Sequence, residues 1–329
     1  MDVKRNLMRY YLGIDGGGTS TTAAVANERG KIVGTGRAGP SLYKVVGLKG
    51  AMKNLRKAIL AAEKKARVTS PSYAYAVFGL SGVDTLNDWK ILSALMYQYF
   101  KPRFADRFRV VNDVVIALAA GTDAPFGAAL IAGTGSNAYA VGPRGEAYAG
   151  GLGSVLADEG SAYWIGSQML RAAVKSFDRR GAETALEQSL CALLKVRTMR
   201  DAVDVVYPHT KDFGAGMNRS GFDKTAIARL APLCTRTARQ GDRVAKKIVY
   251  DAAHELAAMV HAVVARAGLS RMRFDCVLSG GAWKAEALIV RPFARAVRPH
   301  APRVRFIRVR ASPVTGALRL AQRHDVSIK

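Results

Sequence analysis

One pattern occurs twice in this chain and constrains its fold more than any other: an apolar strand, a glycine turn carrying hydroxyls, and a second apolar strand. The first copy runs Tyr10–Ile14, Asp15-Gly16-Gly17-Gly18-Thr19-Ser20 and Thr21–Ala26. The second runs Gly127–Ala132, Gly133-Thr134-Gly135-Ser136 and Asn137–Val141. Residues that suit strands flank each turn, and glycine at the tip removes Cβ and admits positive φ, so backbone amides can approach phosphate oxygens closely. Either copy alone reads equally well as an ordinary hairpin turn. As a pair, one in each half, they point to a duplicated fold that closes around a nucleotide. Asp15, at the end of the first strand, is placed to hold a hydrated Mg²⁺ against those phosphates.

The segments between the hairpins alternate as α/β structure does. Lys31–Gly34 reads as a third strand, Gly39-Pro40-Ser41 as a turn, and Leu48–Ala62 as an amphipathic helix with its lysines outward. Strands over Tyr73–Leu80 and Phe108–Val111 enclose a helix over Asp88–Tyr99, and Val114–Ala120 begins another. The break at Gly121–Pro125 divides the chain into a lobe over 1–121 and a lobe over 122–311, with a last helix in 312–325 expected to return to the first lobe. In the second lobe helices are expected over Ala162–Ser176, Glu183–Leu194, Met199–Tyr207, Asp223–Gln240 and Asp242–Ala267. Strands are expected over Phe274–Ser279 and Val304–Val309, with a helix opening near Trp283.

Composition excludes several classes. A chain of 329 residues, 49% hydrophobic, has ample core for two domains. No apolar run is long enough to span a membrane, and Met1–Asn6 leads into no signal-peptide core. Three scattered cysteines, Cys191, Cys234 and Cys276, argue for a reducing compartment, so the cytoplasm is expected. The five histidines show no metal-ligand spacing. The net charge of +25 is spread along helices, with no zinc-finger, basic-zipper or aromatic RNA-binding motif. It reads as a solvated basic surface that draws anionic metabolites, and nucleic acid is not an expected partner. Arg303–Arg310 reads as a strand with one basic face.

Several residues carry two readings. Gly34–Gly39 and Gly133–Ala138 match the dinucleotide fingerprint literally, but that fingerprint needs a following helix, and Pro40 and a strand follow instead. No phosphate-binding Gly-x-x-x-x-Gly-Lys-Ser/Thr loop is present. Asp113, directly after a strand, is either the N-cap of the next helix or a base that takes a proton from an attacking hydroxyl. Asp158 and Glu159 either cap the helix that follows or accept hydrogen bonds from a sugar.

Ile131–Asn137 followed by Asp158-Glu159-Gly160-Ser161-Ala162-Tyr163-Trp164-Ile165-Gly166 resembles the N-acetylglucosamine kinase group of the BadF/BadG/BcrA/BcrD ATPase family, within the sugar kinase, Hsp70 and actin superfamily. The resemblance implies two ribonuclease-H-like lobes, of the actin-like ATPase kind, with ATP and sugar in the cleft between them. It implies ATP contacts from Gly17, Gly18, Thr19, Ser20, Thr134, Gly135, Ser136, Ala228, Gly280, Gly281 and Ala282, with Mg²⁺ near Asp15 through water. Asp113 matches the catalytic base, and Asp113, Asn137, Gly151, Leu152, Gly153 and Asp158 match sugar contacts. The implied reaction is in-line transfer of the γ-phosphoryl group of ATP to the C6 hydroxyl of N-acetylglucosamine.

The chain departs from the family at Leu42, which stands where an asparagine usually hydrogen-bonds the sugar. A leucine offers no such bond, and Ser41 is the nearest substitute. Glucosamine or another hexose derivative therefore stays open as acceptor. The family also contains iron–sulfur activators of 2-hydroxyacyl-CoA dehydratases, but the cysteines fall in expected helices and a strand instead of in glycine loops. A sugar sensor without turnover is the non-enzymatic alternative. A homodimer is the common state in the family.

Overall fold

The computed structural model describes residues 9–69, 71–104, 107–207, 222–309 and 311–327. The reading of Met1–Asn6 lies outside them. The chain divides into two compact units, residues 1–129 with 307–329, and residues 130–306.

The first unit is built on strands β1 (Tyr10–Gly16), β2 (Thr21–Asn27), β3 (Ile32–Ala38), β4 (Tyr73–Leu80) and β5 (Phe108–Asn112), with helices α1 (Tyr43–Ala66), α2 (Leu86–Phe104) and α3 (Asp113–Gly121). Its sheet has the order β3-β2-β1-β4-β5. The meander β1-β2-β3 is antiparallel, whereas β4 and β5 join parallel to β1. Leu12, Ile14, Val25, Phe78 and Leu80 from the strands meet Leu55 and Ile59 of α1 and Leu92 and Met96 of α2 in one core. Gly34 and Gly36 belong to β3, and their role is packing. A Cβ at either would stand 2.1 Å from a carbonyl of α1, so only glycine lets helix and strand backbones touch there.

The second unit contains β6 (Gly127–Ala132), β7 (Ser136–Gly142), β8 (Gly145–Gly150), α4 (Ala162–Phe177), α5 (Ala185–Leu194), α6 (Ala202–Val206), α7 (Lys224–Ala228), α8 (Ala231–Arg239), α9 (Arg243–Ala267), β9 (Phe274–Ser279), α10 (Arg291–Val297) and β10 (Val304–Arg308). Its sheet order, β10-β9-β6-β7-β8, repeats that of the first sheet strand for strand. The fold is α/β and duplicated, as the paired hairpins implied, and ribonuclease-H-like, as the family resemblance implied. The last helix, α11 (Pro313–Ser327), packs on α3, β1 and β4 of the first unit. There Arg319 donates to the carbonyls of Ala119 and Ala120 at the end of α3, and Asp325 accepts from Arg9 and Tyr11.

Three local expectations need correction, and one helix calls for a closer look. The helix expected over Asp223–Gln240 is two, α7 and α8, because Pro232 lies in the first turn of α8 and cannot continue a preceding helix. The helix expected near Trp283 begins as a 3₁₀ turn over Gly281–Lys284 and a π turn over Glu286–Val290 before α10. Strand β10 has no single basic face. Arg305 and Arg308 differ in parity and so point to opposite sides, Arg305 pairs with Asp275 at 2.6 Å, and Arg310 lies outside the described residues. Helix α9 is long and apolar enough to cross a membrane by length and composition, although no unbroken apolar run exists. Its apolar stripe (Ile248, Ala252, Leu256, Val260, Val263) is buried against β7, β8, α8 and α10, which makes it a core helix.

Candidate active site

In the first unit three parallel strands end side by side, and each delivers a polar group. Strand β1 ends in Asp15-Gly16 and β4 runs into Ser81. Strand β5 ends at Asn112, where α3 begins with Asp113. Ligands of open α/β sheets bind outside the carboxyl ends of the strands. The glycine turn is closed by Gly17 N–H donating to the Ser20 carbonyl at 3.0 Å, and it is tied down by Ser41 N–H to Gly17 and Ser81 N–H to Gly16. Gly18 and Thr19 at its tip are exposed, with Gly17 and Ser20 half-buried.

The two readings of Asp113 separate here. The N-cap of α3 is Asn112, whose side chain accepts from Val114 N–H at 3.0 Å. Asp113 is the first helical residue, and its Oδ2 accepts from the Ser81 hydroxyl at 2.6 Å. Asn112 also donates to Asp84 at 3.1 Å, and Asp84 pairs with Lys44 at 3.2 Å. Burial raises the Asp113 carboxyl above its usual range and the Asp84 charge adds to this, while the Ser81 bond opposes it. Burial and the Asp113 charge push Asp15 up to about 7. The Asp113 charge raises the proton affinity of Asp15, and a divalent cation beside these hard oxygens would relieve that repulsion. Mg²⁺ is commonly held by one or two carboxylates with water and substrate phosphates completing its shell, so Asp15 and Asp113 fit it without a third protein ligand.

Leu42 and Ser41 do not take up the missing asparagine's role. The Leu42 side chain lies against Gly18 and Gly82, so it presents a hydrocarbon surface at the turn. Ser41 is 4% exposed, and its hydroxyl is packed under Gly16 with no hydrogen-bond partner among the described residues. The expectation of a sugar contact from Ser41 is corrected accordingly.

In the second unit the turn Gly133–Ser136 is supported from below. Gly133 and Thr134 carbonyls accept from the N–H groups of Ala162 and Tyr163 at the start of α4, and Gly280, with φ 107°, approaches Ala132 so closely that a Cβ would stand 2.3 Å from its carbonyl oxygen. Thr134 is exposed at the tip, and Gly280 and Gly281 are exposed beside β6. Ser136 differs from its expected role on ATP. It is 1% exposed, its N–H donates to Asp158 Oδ1 at 3.1 Å and its hydroxyl to the Glu159 carbonyl at 2.7 Å, so it builds the turn from behind. Ala228 is likewise buried, at the end of α7.

Asp158 and Glu159 are not helix caps; Ser161 caps α4 by accepting from Trp164 N–H. Asp158 adopts a left-handed φ of 71°, is 3% exposed, and pairs through Oδ2 with Lys224 at 2.5 Å. A non-glycine residue held in that conformation costs of order 1 kcal/mol or more and marks an over-determined position. Lys224, at the start of α7, carried no motif and was missed by sequence reasoning. Asn137 and Gly151 adjoin each other where β7 leaves the turn, with Gly151 N–H on the Ser136 carbonyl at 2.8 Å. Leu152, Val155 and Leu156 in the following loop are exposed apolar side chains.

The sequence profile of the BadF/BadG/BcrA/BcrD ATPase family covers residues 12–321. The chain belongs to the BadF/BadG/BcrA/BcrD ATPase family. Among curated relatives, the N-acetylmuramic acid/N-acetylglucosamine kinase of Clostridium acetobutylicum is 29% identical, covering 96% of this chain and 99% of its own. The N-acetyl-D-glucosamine kinase of Dictyostelium discoideum is 26% identical over 94% of this chain and 97% of its own. A solved structure of a candidate N-acetylglucosamine kinase from Chromobacterium violaceum superposes with a TM-score of 0.72 at 23% identity, covering 96% of this chain and 99% of that one. Membership of this ATPase family implies ATP use.

Proposed function

We propose that the protein is an ATP-dependent amino-sugar kinase that transfers the γ-phosphoryl group to the C6 hydroxyl of N-acetylglucosamine. The observation that carries this reading is Asp113, held by Ser81 at the carboxyl end of β5 and coupled to Asp15 beside a glycine turn. Asp113 accepts the proton of the acceptor hydroxyl as it attacks. The turns Gly17–Ser20 and Thr134-Gly135, with Gly280, Gly281 and Ala282, bind ATP, the Gly17 N–H closing its own turn on the Ser20 carbonyl while Gly18, Thr19 and Thr134 stand exposed at the tips. Asn137, Gly151, Leu152 and Gly153 orient the sugar, while Asp158, buried with both oxygens bonded, supports the turn in place of the sugar contact expected of it. Asp15 would hold Mg²⁺ through water, and the ion would neutralise charge on the phosphates. Two buried cysteine thiols support the kinase over an iron–sulfur activator, since burial pushes Cys234 and Cys276 each up to about 12 and thiolates are what ligate such clusters. A cytoplasmic homodimer is the state we infer from the family and the cysteine usage. The lobe boundaries read from the sequence, 121/122 and 311/312, fall within a few residues of the limits of the two compact units, 129/130 and 306/307.

ADP release measured over N-acetylglucosamine, glucosamine, N-acetylmannosamine, glucose and anhydromuramic acid tests the assignment. N-acetylglucosamine is expected to give the highest kcat/KM, and equal, sugar-independent release with all five would refute it. In the same assay Leu42→Asn, which restores an amide donor and acceptor, is expected to raise kcat/KM for N-acetylglucosamine about tenfold, the worth of one made hydrogen bond.

Lys224 acts as a positioning residue through Asp158 and the Ser136 amide. Lys224→Met leaves a buried carboxylate without its counter-charge, and because Lys224 is half-exposed the cost is about 1–2 kcal/mol. The expected outcome is a KM for ATP raised about tenfold with kcat changed less, and recovery in Lys224→Arg.

A further inference from the structure

Helix α1 carries seven basic side chains and one acidic one, Glu63, which is buried and bonded by the Tyr73 hydroxyl. Beyond the kink at Gly47, Lys49, Lys53, Arg56 and Lys57 recur on one face of the helix, and Leu60 extends the same row. Lys49 and Lys57 are about 12 Å apart along the axis. This row forms one wall of a groove of about 740 Å³ whose other side is α2, with Tyr99 at its rim and Met52 and Phe100 in its floor. The four cations are exposed, and among the described residues no acidic side chain lines the groove and none of the four has an ion-pair partner. Tyr99 is 54% exposed and Leu60 47%. Unpaired like charges repel one another at a cost to the fold, and here they stand beside an exposed ring.

We propose that the α1–α2 groove is a second, non-catalytic binding site for a phosphorylated nucleoside, with phosphates on Lys49, Lys53, Arg56 and Lys57 and the base against Tyr99. Its volume suits a small ligand. A row of cations beside an aromatic face is the combination that holds nucleotide phosphates and bases without reading sequence. The same chemistry is presented by a free nucleotide or by a nucleotide within a strand.

Calorimetric titration of the intact protein with a non-hydrolysable ATP analogue tests the site by stoichiometry. Wild-type protein is expected to bind two per chain, and the double variant Lys53→Ala, Arg56→Ala one, with its KM for ATP unchanged. Tyr99→Ala is expected to weaken the second site about tenfold, and raising salt from 50 to 200 mM to weaken it several-fold. A twelve-nucleotide oligo-uridine distinguishes the sources: tighter binding than the free analogue, lost in the double variant, assigns the groove to strands, and weaker binding assigns it to free nucleotides. The same stoichiometry in wild type and double variant, or a second site indifferent to both Tyr99 and salt, overturns the proposal. Loss of the catalytic site alone would leave one analogue bound in wild type and none in the double variant, which separates the two readings.

Discussion

Asp113→Asn is expected to lower kcat by about 10²–10⁴-fold, the contribution of a positioned general base, while leaving the KM for ATP and the melting temperature near their wild-type values. The substitution keeps the side chain's shape and an oxygen that can accept from Ser81, so the hydrogen bond at 2.6 Å survives. What disappears is the ability to take a proton. The pH profile carries a second signature. Burial and the Asp84 charge raise the Asp113 carboxyl, against the Ser81 bond, so wild-type activity should fall on its acid side at a pH above the ordinary carboxylate range. That acid limb should be absent from the residual activity of Asp113→Asn. A variant with near-normal turnover would remove Asp113 from the chemistry.

The second large effect is expected at Asp15, where activity and stability should move in opposite directions. Its carboxyl is pushed up from 3.8 to about 7 by burial and by the Asp113 charge. Between those values the folded protein holds a proton that the unfolded chain has released. The stabilisation is therefore complete below about pH 4 and is lost as the pH rises through about 7. Asp15→Asn removes this penalty: at pH 8 without Mg²⁺ the variant should be more stable by up to about 4 kcal/mol, and at pH 4 the two should coincide. Mg²⁺ should narrow the gap at pH 8 by stabilising only the wild type. Turnover of the variant should fall by at least about 10²-fold, the loss expected of a group acting on developing charge. Thermal melts at the two pH values and a kinetic assay measure both halves.

Asp113 and Asp15 could be found from the sequence because each sits at the end of an apolar run, where the period-2 pattern stops and a short polar residue begins. The duplicated hairpins were legible for the same reason, and β4, β6 and β9 match their sequence-read bounds. Side-chain direction was not legible. Ser41 and Ser136 carry hydroxyls in the right turns, yet both point into the protein, and burial depends on neighbours distant in sequence: Gly16 for Ser41, and Asp158 and Glu159 for Ser136. Lys224 lies 66 residues from its partner Asp158, a pairing no local pattern encodes. Strand β8 was missed because Gly145–Gly150 is short and rich in glycine and alanine, and it becomes a strand by pairing with β7. The α1 lysines were read as a solvated face, and periodicity alone could not show that α2 turns part of that face into a groove.

The central claim is tested most directly by following phosphorus through the reaction. With ATP, Mg²⁺ and N-acetylglucosamine, ³¹P NMR is predicted to show ADP and a sugar phosphate esterified at the C6 oxygen appearing in equal amounts, with neither forming when the sugar is omitted. Release of inorganic phosphate in place of the sugar ester, or ADP formation that no amino sugar stimulates, would contradict it.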